Sequence, residues 1–145
     1  MKRSLRCATP AAVLLLTALT GLALAADWPQ LGGPDRDFRV AAPALATEWP
    51  EEGPRELWRR PLGLGYSPIT VVGDSLYTMY RDGENEVVIA ASAATGETRW
   101  QHTYPAPFAE YMNMEHGSGP HVAPLVIGDR VFTVGIRGRL LALDR

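Results

Sequence analysis

Apolar and β-branched residues are grouped in short stretches along residues 55–145, and glycine or charged residues separate these stretches. Stretches of this kind favour β-strands, because branched and aromatic side chains suit a pleated sheet. Gly73-Asp74 lies between two of them, and glycine at the first position of a two-residue turn suits a type II′ hairpin. The pattern predicts five strands, at Arg55–Arg60, Tyr66–Val72, Ser75–Tyr80, Glu86–Ser92 and Glu97–Thr103.

The last four predicted strands form one antiparallel unit. A polar turn at residues 81–85 and a tight turn at Thr95-Gly96 connect its later strands, and its last strand carries Trp100. Trp58 lies 42 residues earlier, in the similar short stretch Arg55–Arg60. An internal repeat of this length indicates stacked supersecondary units.

A second copy of the unit follows the first. Residues 71–78 match residues 126–133 at an offset of 55, and residues 90–92 match residues 142–144. The offset exceeds 42 because residues 104–119 form a long connection. The sequence therefore predicts an all-β fold, a β-propeller of four-stranded antiparallel blades. The first blade covers about residues 66–103 and a partial second blade about residues 121–145.

About one and a half to two blades cannot close a ring, since propellers contain about 4–8 of them. Repeats of this kind also need neighbours to cover their apolar faces. We therefore expect the sequence to be the N-terminal piece of a longer protein that supplies the remaining blades. A short product in its own right would have to assemble into oligomers.

Residues 1–25 have the pattern of a secretory signal peptide. Lys2, Arg3 and Arg6 precede an apolar run at residues 11–24, and Ala23-Leu24-Ala25 is a typical cleavage site. An uncleaved anchor is the alternative, although the run is shorter than the roughly 20 residues of a membrane span. We expect an exported protein, periplasmic or extracellular, without a stable membrane span after cleavage.

The composition of residues 26–145 narrows the classes of partner. They contain no cysteine, so an apolar core rather than disulfides must hold the fold. They carry 11 basic and 16 acidic residues, a net charge of −5, which argues against nucleic acid as a partner. Proline and glycine make residues 26–54 an extended lead-in arm. This arm either packs on the domain or binds a partner.

The connection before the second copy is the densest group of candidate ligand residues. Glu115, His116 and His121 are candidates for contact with a ligand or a protein at a propeller mouth. Met112, Met114 and His116 alternate, and such side chains can hold copper, but the run is short and we assign no metal site. An ordered loop with solvated polar residues remains the simplest interpretation. No nucleotide loop or catalytic triad motif is present, and no catalytic residue is assigned.

Four features of the sequence are typical of one repeat family: the A-A-T-G-x-x-x-W segment at 93–100, the repeated V-x-G-D hairpins, the A-L-D at 142–144 and the D-W-P-Q at 27–30. In these features the chain resembles the pyrroloquinoline-quinone-like (PQQ-like) β-propeller repeat family. The resemblance implies a ring of commonly about eight blades. It also implies that tryptophans pack between neighbouring blades. The expected docking residues are Trp58, Trp100, Thr95, Gly96, Gly73 and Gly128.

The resemblance leaves two functions open. One is a non-catalytic exported scaffold that binds protein or polysaccharide through its loops. The other is part of a PQQ- and calcium-dependent alcohol or sugar dehydrogenase. In such quinoproteins the quinone stacks over a tryptophan, acidic and amide side chains hold Ca²⁺, and an adjacent cysteine pair is frequent. None of these residues can be assigned in this sequence, so no cofactor is assigned and the scaffold is the favoured interpretation.

Overall fold

The computed structural model describes residues 26–39, 46–108 and 117–145. The predicted signal peptide at residues 1–25 lies outside these ranges, as do Glu115 and His116. Within them the chain forms strands and turns without a helix. Accordingly, the described ranges contain no helical segment of the length and hydropathy that a bilayer span requires.

The first sheet has four antiparallel strands in the order β1-β2-β3-β4. In its register Tyr77 faces Ala90, and Ala90 in turn faces Trp100. A β-bulge between Ala90 and Ala91 shifts the last pairing. The strands are β1 (Thr70–Val72), β2 (Ser75–Asp82), β3 (Asn85–Ser92) and β4 (Thr98–Pro105).

The second sheet has three antiparallel strands, β5 (Leu125–Ile127), β6 (Arg130–Val134) and β7 (Leu140–Asp144). Its first hairpin repeats that of the first sheet, since Thr70 pairs with Tyr77 and Leu125 pairs with Phe132. A four-stranded and a three-stranded sheet confirm the predicted all-β class and are consistent with partial propeller blades.

The predicted strands at Arg55–Arg60 and Tyr66–Val72 were wrong in extent. Residues 55–60 form no strand, and the first strand begins only at Thr70. A strand needs a neighbour that pairs with its backbone, and residues 55–60 have no such neighbour within the described part of the chain. Pro68 interrupts the second stretch because it lacks an N–H, and Leu64 forms only an isolated bridge to Arg81.

The turn between β2 and β3 is shorter than predicted, whereas the turns that begin at Gly73 and Gly128 are as predicted. Arg81 and Asp82 belong to β2 and pair with Glu86 and Asn85, so the polar turn shrinks to Gly83-Glu84. Gly73 and Gly128 begin the two equivalent two-residue turns with φ angles of 60° and 58°. A positive φ at this position is the conformation that glycine adopts without steric cost.

The core lies between the two sheets. One cluster joins Tyr77 and Ala90 of the first sheet to Val126 and Val131 of the second. A second cluster contains Met79, Val88, Tyr104 and Ala106, and Leu141 and Leu143 of β7 pack against it. Strand β3 is buried from Glu86 to Ala91, and β2 and β4 cover its two edges. The two sheets therefore pack as neighbouring layers.

Polar contacts also join the first strands of the two sheets. The buried Thr70 hydroxyl donates to the Pro124 carbonyl at 2.6 Å, and the Ser67 hydroxyl donates to the Val122 carbonyl at 2.8 Å. Trp28 of the lead-in arm exchanges both backbone hydrogen bonds with Val71. The Pro29 carbonyl accepts from the Val126 N–H at 2.9 Å. The start of the arm therefore packs along both sheets.

Candidate functional site

The two ends of the sheets differ in chemistry. One end, here called the ion-pair end, contains the turns at residues 73–74, 93–97 and 128–129. Its exposed charges pair with one another: Arg99 with Asp74, and Arg130 with Asp144 at 2.5 Å. The hydrogen bond from Arg99 is the main reason that the pKa of the Asp74 carboxyl is lowered. Paired, exposed charges of this kind are typical of a surface in contact with solvent.

The opposite end, here called the loop face, comprises residues 64–66, 83–84, 105–108, 117–122 and 135–140. It exposes apolar and aromatic side chains instead of ion pairs. Leu64 is 66% exposed, Tyr66 67% and Leu140 68%, and Val122 is also exposed. Single exposed apolar residues are ordinary, but a group of them at one end is a candidate surface for contact with another molecule.

Arg81 holds the base of the loop face together. It is 4% exposed, and its guanidinium donates to three backbone carbonyls: Ser118 at 2.5 Å, Ala106 at 2.8 Å and Gly83 at 3.2 Å. Ala106 and Ser118 flank the long connection between the sheets. The planar fork of arginine is suited to several acceptors at once, so Arg81 fixes the two ends of this connection side by side.

A second buried polar group joins the two sheets near the same face. Glu86 is fully buried; one carboxylate oxygen accepts from the Tyr104 hydroxyl at 2.5 Å and the other from the Ile136 N–H at 3.0 Å. Burial, together with the neighbouring Glu86 charge, raises the pKa of Tyr104 far above its usual range. The phenol therefore remains a hydrogen-bond donor, and the Arg139 guanidinium lies 5.1 Å from its ring centroid.

Of the predicted contact residues, His121 is described, and it lies on the loop face. Its ring stacks on Tyr66, with centroids 5.8 Å apart and planes inclined by 22°. Tyr66 and His121 occupy equivalent positions of the two repeats, since they are separated by the same offset of 55. Beside this ring pair lies a cavity of about 260 Å³. Its lining consists of Gly63, Leu64, Gly65, Tyr66, Gly117, Ser118 and Gly119.

Trp58, a predicted docking residue, lies against the turn of the first sheet that contains Gly96. Its indole N–H donates to the Ala93 carbonyl at 2.9 Å. A Cβ at Gly96 would come within 2.6 Å of the Trp58 ring, and Gly96 has a φ of 72°. Both the close approach and the backbone conformation require glycine at this position. Arg60 adds a hydrogen bond to the Gly96 carbonyl at 2.7 Å.

Trp100 and Thr95, two further predicted docking residues, have different surroundings. Trp100 is half-buried and packs against both core clusters, with its ring centroid 6.1 Å from that of Tyr77. Thr95 shapes its own turn, because its hydroxyl accepts from the Glu97 N–H at 3.3 Å. The structure therefore places Trp100 where the sheets meet, whereas Thr95 remains exposed at the ion-pair end.

Replacement of Trp58 tests the docking prediction. We expect Trp58→Ala to lower the free energy of unfolding by about 2 kcal/mol, because it removes aromatic packing and a hydrogen bond. Trp58→Phe keeps part of the packing and should cost about half as much. Urea unfolding measures both free energies, provided that the dependence of the free energy on urea concentration has the same slope in each variant. Trp49→Ala is the matched control, since Trp49 is 59% exposed. Equal midpoints for Trp58→Ala and Trp49→Ala would refute a docking role.

Sequence reasoning missed Arg81, Glu86, Tyr104 and Tyr66. Arg81 was placed in a polar turn and Glu86 at the start of the next strand, although a two-residue turn makes them partners across the β2–β3 hairpin. Two opposite charges at facing positions beside a short turn are a signal that could have found them. The equivalence of Tyr66 and His121 was also present in the repeat alignment. In contrast, nothing in the sequence spacing joins Ile136 to Glu86.

These features define a β-propeller repeat module with one apolar loop face and one ion-paired end. The family model described as outer membrane protein assembly factor BamB matches residues 49–145, which is more than half of the chain. The chain therefore belongs to this family of PQQ-like repeats. Comparisons with curated proteins and with solved structures found no match. Within the described ranges no group of three or more His, Cys, Asp or Glu residues is arranged to hold a metal ion.

Proposed function

We propose that the protein is an exported scaffold that binds polypeptides of the outer membrane during their assembly, without a chemical step of its own. The family description names outer-membrane protein assembly. The predicted signal peptide at residues 1–25 would deliver the chain to the periplasm, where such polypeptides are in transit. The polypeptide would bind at the loop face.

The difference between the two ends of the sheets carries this proposal. At the ion-pair end the exposed arginines Arg99 and Arg130 already have carboxylate partners. On the loop face Leu64, Tyr66 and Val122 are exposed together. Protein interfaces are enriched in aromatic residues and depleted of charged residues at their centre. Residues 64–66 and 117–122 of the loop face have this composition, since they contain no Asp, Glu, Lys or Arg, whereas the ion-pair end does not.

The base of the loop face also suits binding, because it is fixed before a partner arrives. Arg81 and Glu86 are buried, and both form hydrogen bonds within the protein: the Arg81 guanidinium donates to backbone carbonyls, and both carboxylate oxygens of Glu86 accept hydrogen bonds. A preformed surface loses less conformational entropy on binding than one that must first become ordered. A scaffold therefore needs this kind of support under an otherwise apolar face.

A quinone does not fit the repeat tryptophans in the described part of the chain. The Trp58 ring lies on Gly96, and Trp100 packs in the core between the sheets. Neither is placed as an open stacking surface for a planar cofactor. We therefore derive no step through a quinone or Ca²⁺, and polypeptide binding is the function that the described residues support best.

Fluorescence anisotropy with a labelled outer-membrane β-barrel polypeptide tests the proposal. The unfolded polypeptide, diluted from urea, should bind the protein saturably in the micromolar range, and the same polypeptide folded in detergent should not. Dextran and PQQ with Ca²⁺ are the comparison ligands. Absence of binding to the unfolded polypeptide contradicts the proposal. Saturable binding of dextran alone would identify a polysaccharide partner, and stoichiometric uptake of PQQ would identify a quinoprotein.

A further inference from the structure

We propose that the cavity beside Tyr66 and His121 is an anchor pocket for a single aromatic side chain of the bound polypeptide. This inference rests on the proposed function and extends it, because it names the part of the loop face that selects the ligand. The pocket comprises the cavity lined by residues 63–66 and 117–119, together with the Tyr66–His121 ring pair.

The size of the cavity indicates what it can hold. Its volume is about 260 Å³, whereas sites for cofactors and drug-sized ligands are typically about 300–1,000 Å³. The cavity is therefore small for a complete cofactor. One large side chain is the better match, and the exposed residues around the opening would contact the backbone on either side of it.

The lining of the cavity selects an uncharged, flat group. Apart from Leu64, Tyr66 and Ser118 it consists of glycines, so backbone and carbon atoms form its walls and no charged side chain lines it. A charged ligand would lose its hydration without gaining an ionic partner. In contrast, an aromatic ring gains apolar contact and offset stacking on the exposed Tyr66 ring.

Outer-membrane polypeptides present many such side chains. Their barrels carry bands of aromatic residues at both membrane interfaces, on strands of alternating hydrophobicity. In an unfolded barrel polypeptide these rings are not yet packed. Capture of one aromatic ring at a time would provide binding that tolerates different sequences, as a scaffold for many barrel polypeptides requires.

The walls of the pocket are held rigidly. Arg81 bonds to the Ser118 carbonyl, and the Tyr66 N–H donates to the Pro120 carbonyl at 2.9 Å. A Cβ at Gly119 would come within 2.4 Å of the Leu64 carbonyl oxygen and of the Gly65 Cα. The two segments that form the pocket therefore approach so closely that only glycine fits between them. This packing preorganises the opening above Tyr66.

A second cavity at this end is less suitable for an aromatic ring. It has a volume of about 330 Å³, and Arg137 and Arg139 contribute to its lining. Its lining also includes Glu86 and Tyr104, which already bond to each other. The neighbouring charges and the satisfied hydrogen bonds leave a ring little to gain there. The Tyr66 cavity is therefore the one that we assign to side-chain capture.

Short peptides test the pocket separately from the proposed function. The peptide acetyl-Gly-Ser-Phe-Ser-Gly-amide and its leucine counterpart are titrated into isotope-labelled protein, and amide and imidazole shifts are followed by NMR. We expect the phenylalanine peptide to shift Gly117, Ser118, Gly119 and His121, with an affinity about tenfold higher than that of the leucine peptide. Equal affinities of the two peptides, or shifts confined to another region, would contradict the proposal that this pocket binds an aromatic side chain.

Two variants add a second measurement. Tyr66→Ala should weaken the phenylalanine peptide about tenfold, and Tyr66→Phe should retain its binding because the ring remains. The control is Ile127→Ala at the ion-pair end, where Ile127 is 59% exposed. Melting curves check that Tyr66→Ala folds.

If the unfolded barrel polypeptide binds Tyr66→Ala and the unaltered protein equally, the pocket is refuted while the proposed function stands. If that polypeptide does not bind at all, the proposed function fails. The comparison of the phenylalanine and leucine peptides then still tests whether the pocket binds an aromatic side chain.

Discussion

Arg81→Met is expected to lower the free energy of unfolding by about 3 kcal/mol. Methionine retains an apolar stem but cannot donate to the Ser118, Ala106 and Gly83 carbonyls. Hydrogen bonds from a charged group contribute about 1.5–3 kcal/mol each, and loss of a shared donor is less than additive. Urea unfolding gives the free energy. Limited proteolysis should also detect faster cleavage between Ala106 and Ser118, because Arg81 ties these two segments.

Arg99→Met is the matched control for this prediction. Arg99 is exposed, and its partner Asp74 lies on the surface of the ion-pair end. Surface ion pairs contribute little to stability, so the urea midpoint should not change measurably. Arg81→Lys should recover only part of the loss, since an ammonium group lacks the planar fork. If Arg81→Met unfolds at the same urea concentration as Arg99→Met, the proposed clamp does not exist.

Glu86→Leu is expected to lower the free energy of unfolding by about 3 kcal/mol, because it leaves one buried donor and one half-buried donor without an acceptor. One is the Tyr104 hydroxyl of the first sheet and the other is the Ile136 N–H of the second. An unsatisfied buried polar group costs about 1–3 kcal/mol. Glu84→Leu is the control two residues earlier, at an exposed turn position, and should change stability by less than about 0.5 kcal/mol.

A double variant separates the contribution of the Glu86–Tyr104 hydrogen bond from the other effects of removing the glutamate. Tyr104→Phe removes the hydroxyl that Glu86→Leu leaves unsatisfied, so the double variant should be more stable than the sum of the single effects predicts. Replacement of both partners by apolar groups is often close to neutral. Strictly additive effects would contradict a direct contact between Glu86 and Tyr104, because contacting residues couple in such cycles.

The fold class could be predicted from the sequence because hairpin signals are local. Gly73-Asp74 and Gly128-Asp129 each specify a turn, and the residues on either side supply the alternating strand pattern. The limits of the strands could not be predicted in the same way. Residues 55–60 have strand composition, yet strand pairing depends on a neighbour that sequence composition does not reveal. The error therefore arose where tertiary context, rather than propensity, decides the structure.

The candidate site was harder to predict than the fold. The sequence indicated His121, but Tyr66, its stacking partner, is distant in the chain and was assigned to a strand. Arg81 was expected in a polar turn and Glu86 at the start of the next strand, and neither was expected to be buried, because charged residues are rarely buried without a partner. Their partners include backbone carbonyls and an N–H of distant segments. Such partners leave no residue-type signal, so the facing charges could have placed Arg81 and Glu86 across the hairpin but could not have revealed their bonds to distant segments.

The central claim is that a polypeptide binds at the loop face and not at the ion-pair end. Site-specific photo-crosslinking tests it directly: a photoreactive phenylalanine analogue is placed at Leu64 in one variant and at Ile127 in another. Both side chains are exposed to a similar extent. With an unfolded outer-membrane barrel polypeptide, the Leu64 variant should give a crosslinked product and the Ile127 variant little or none. Equal products from both positions, or product from Ile127 alone, would contradict the account.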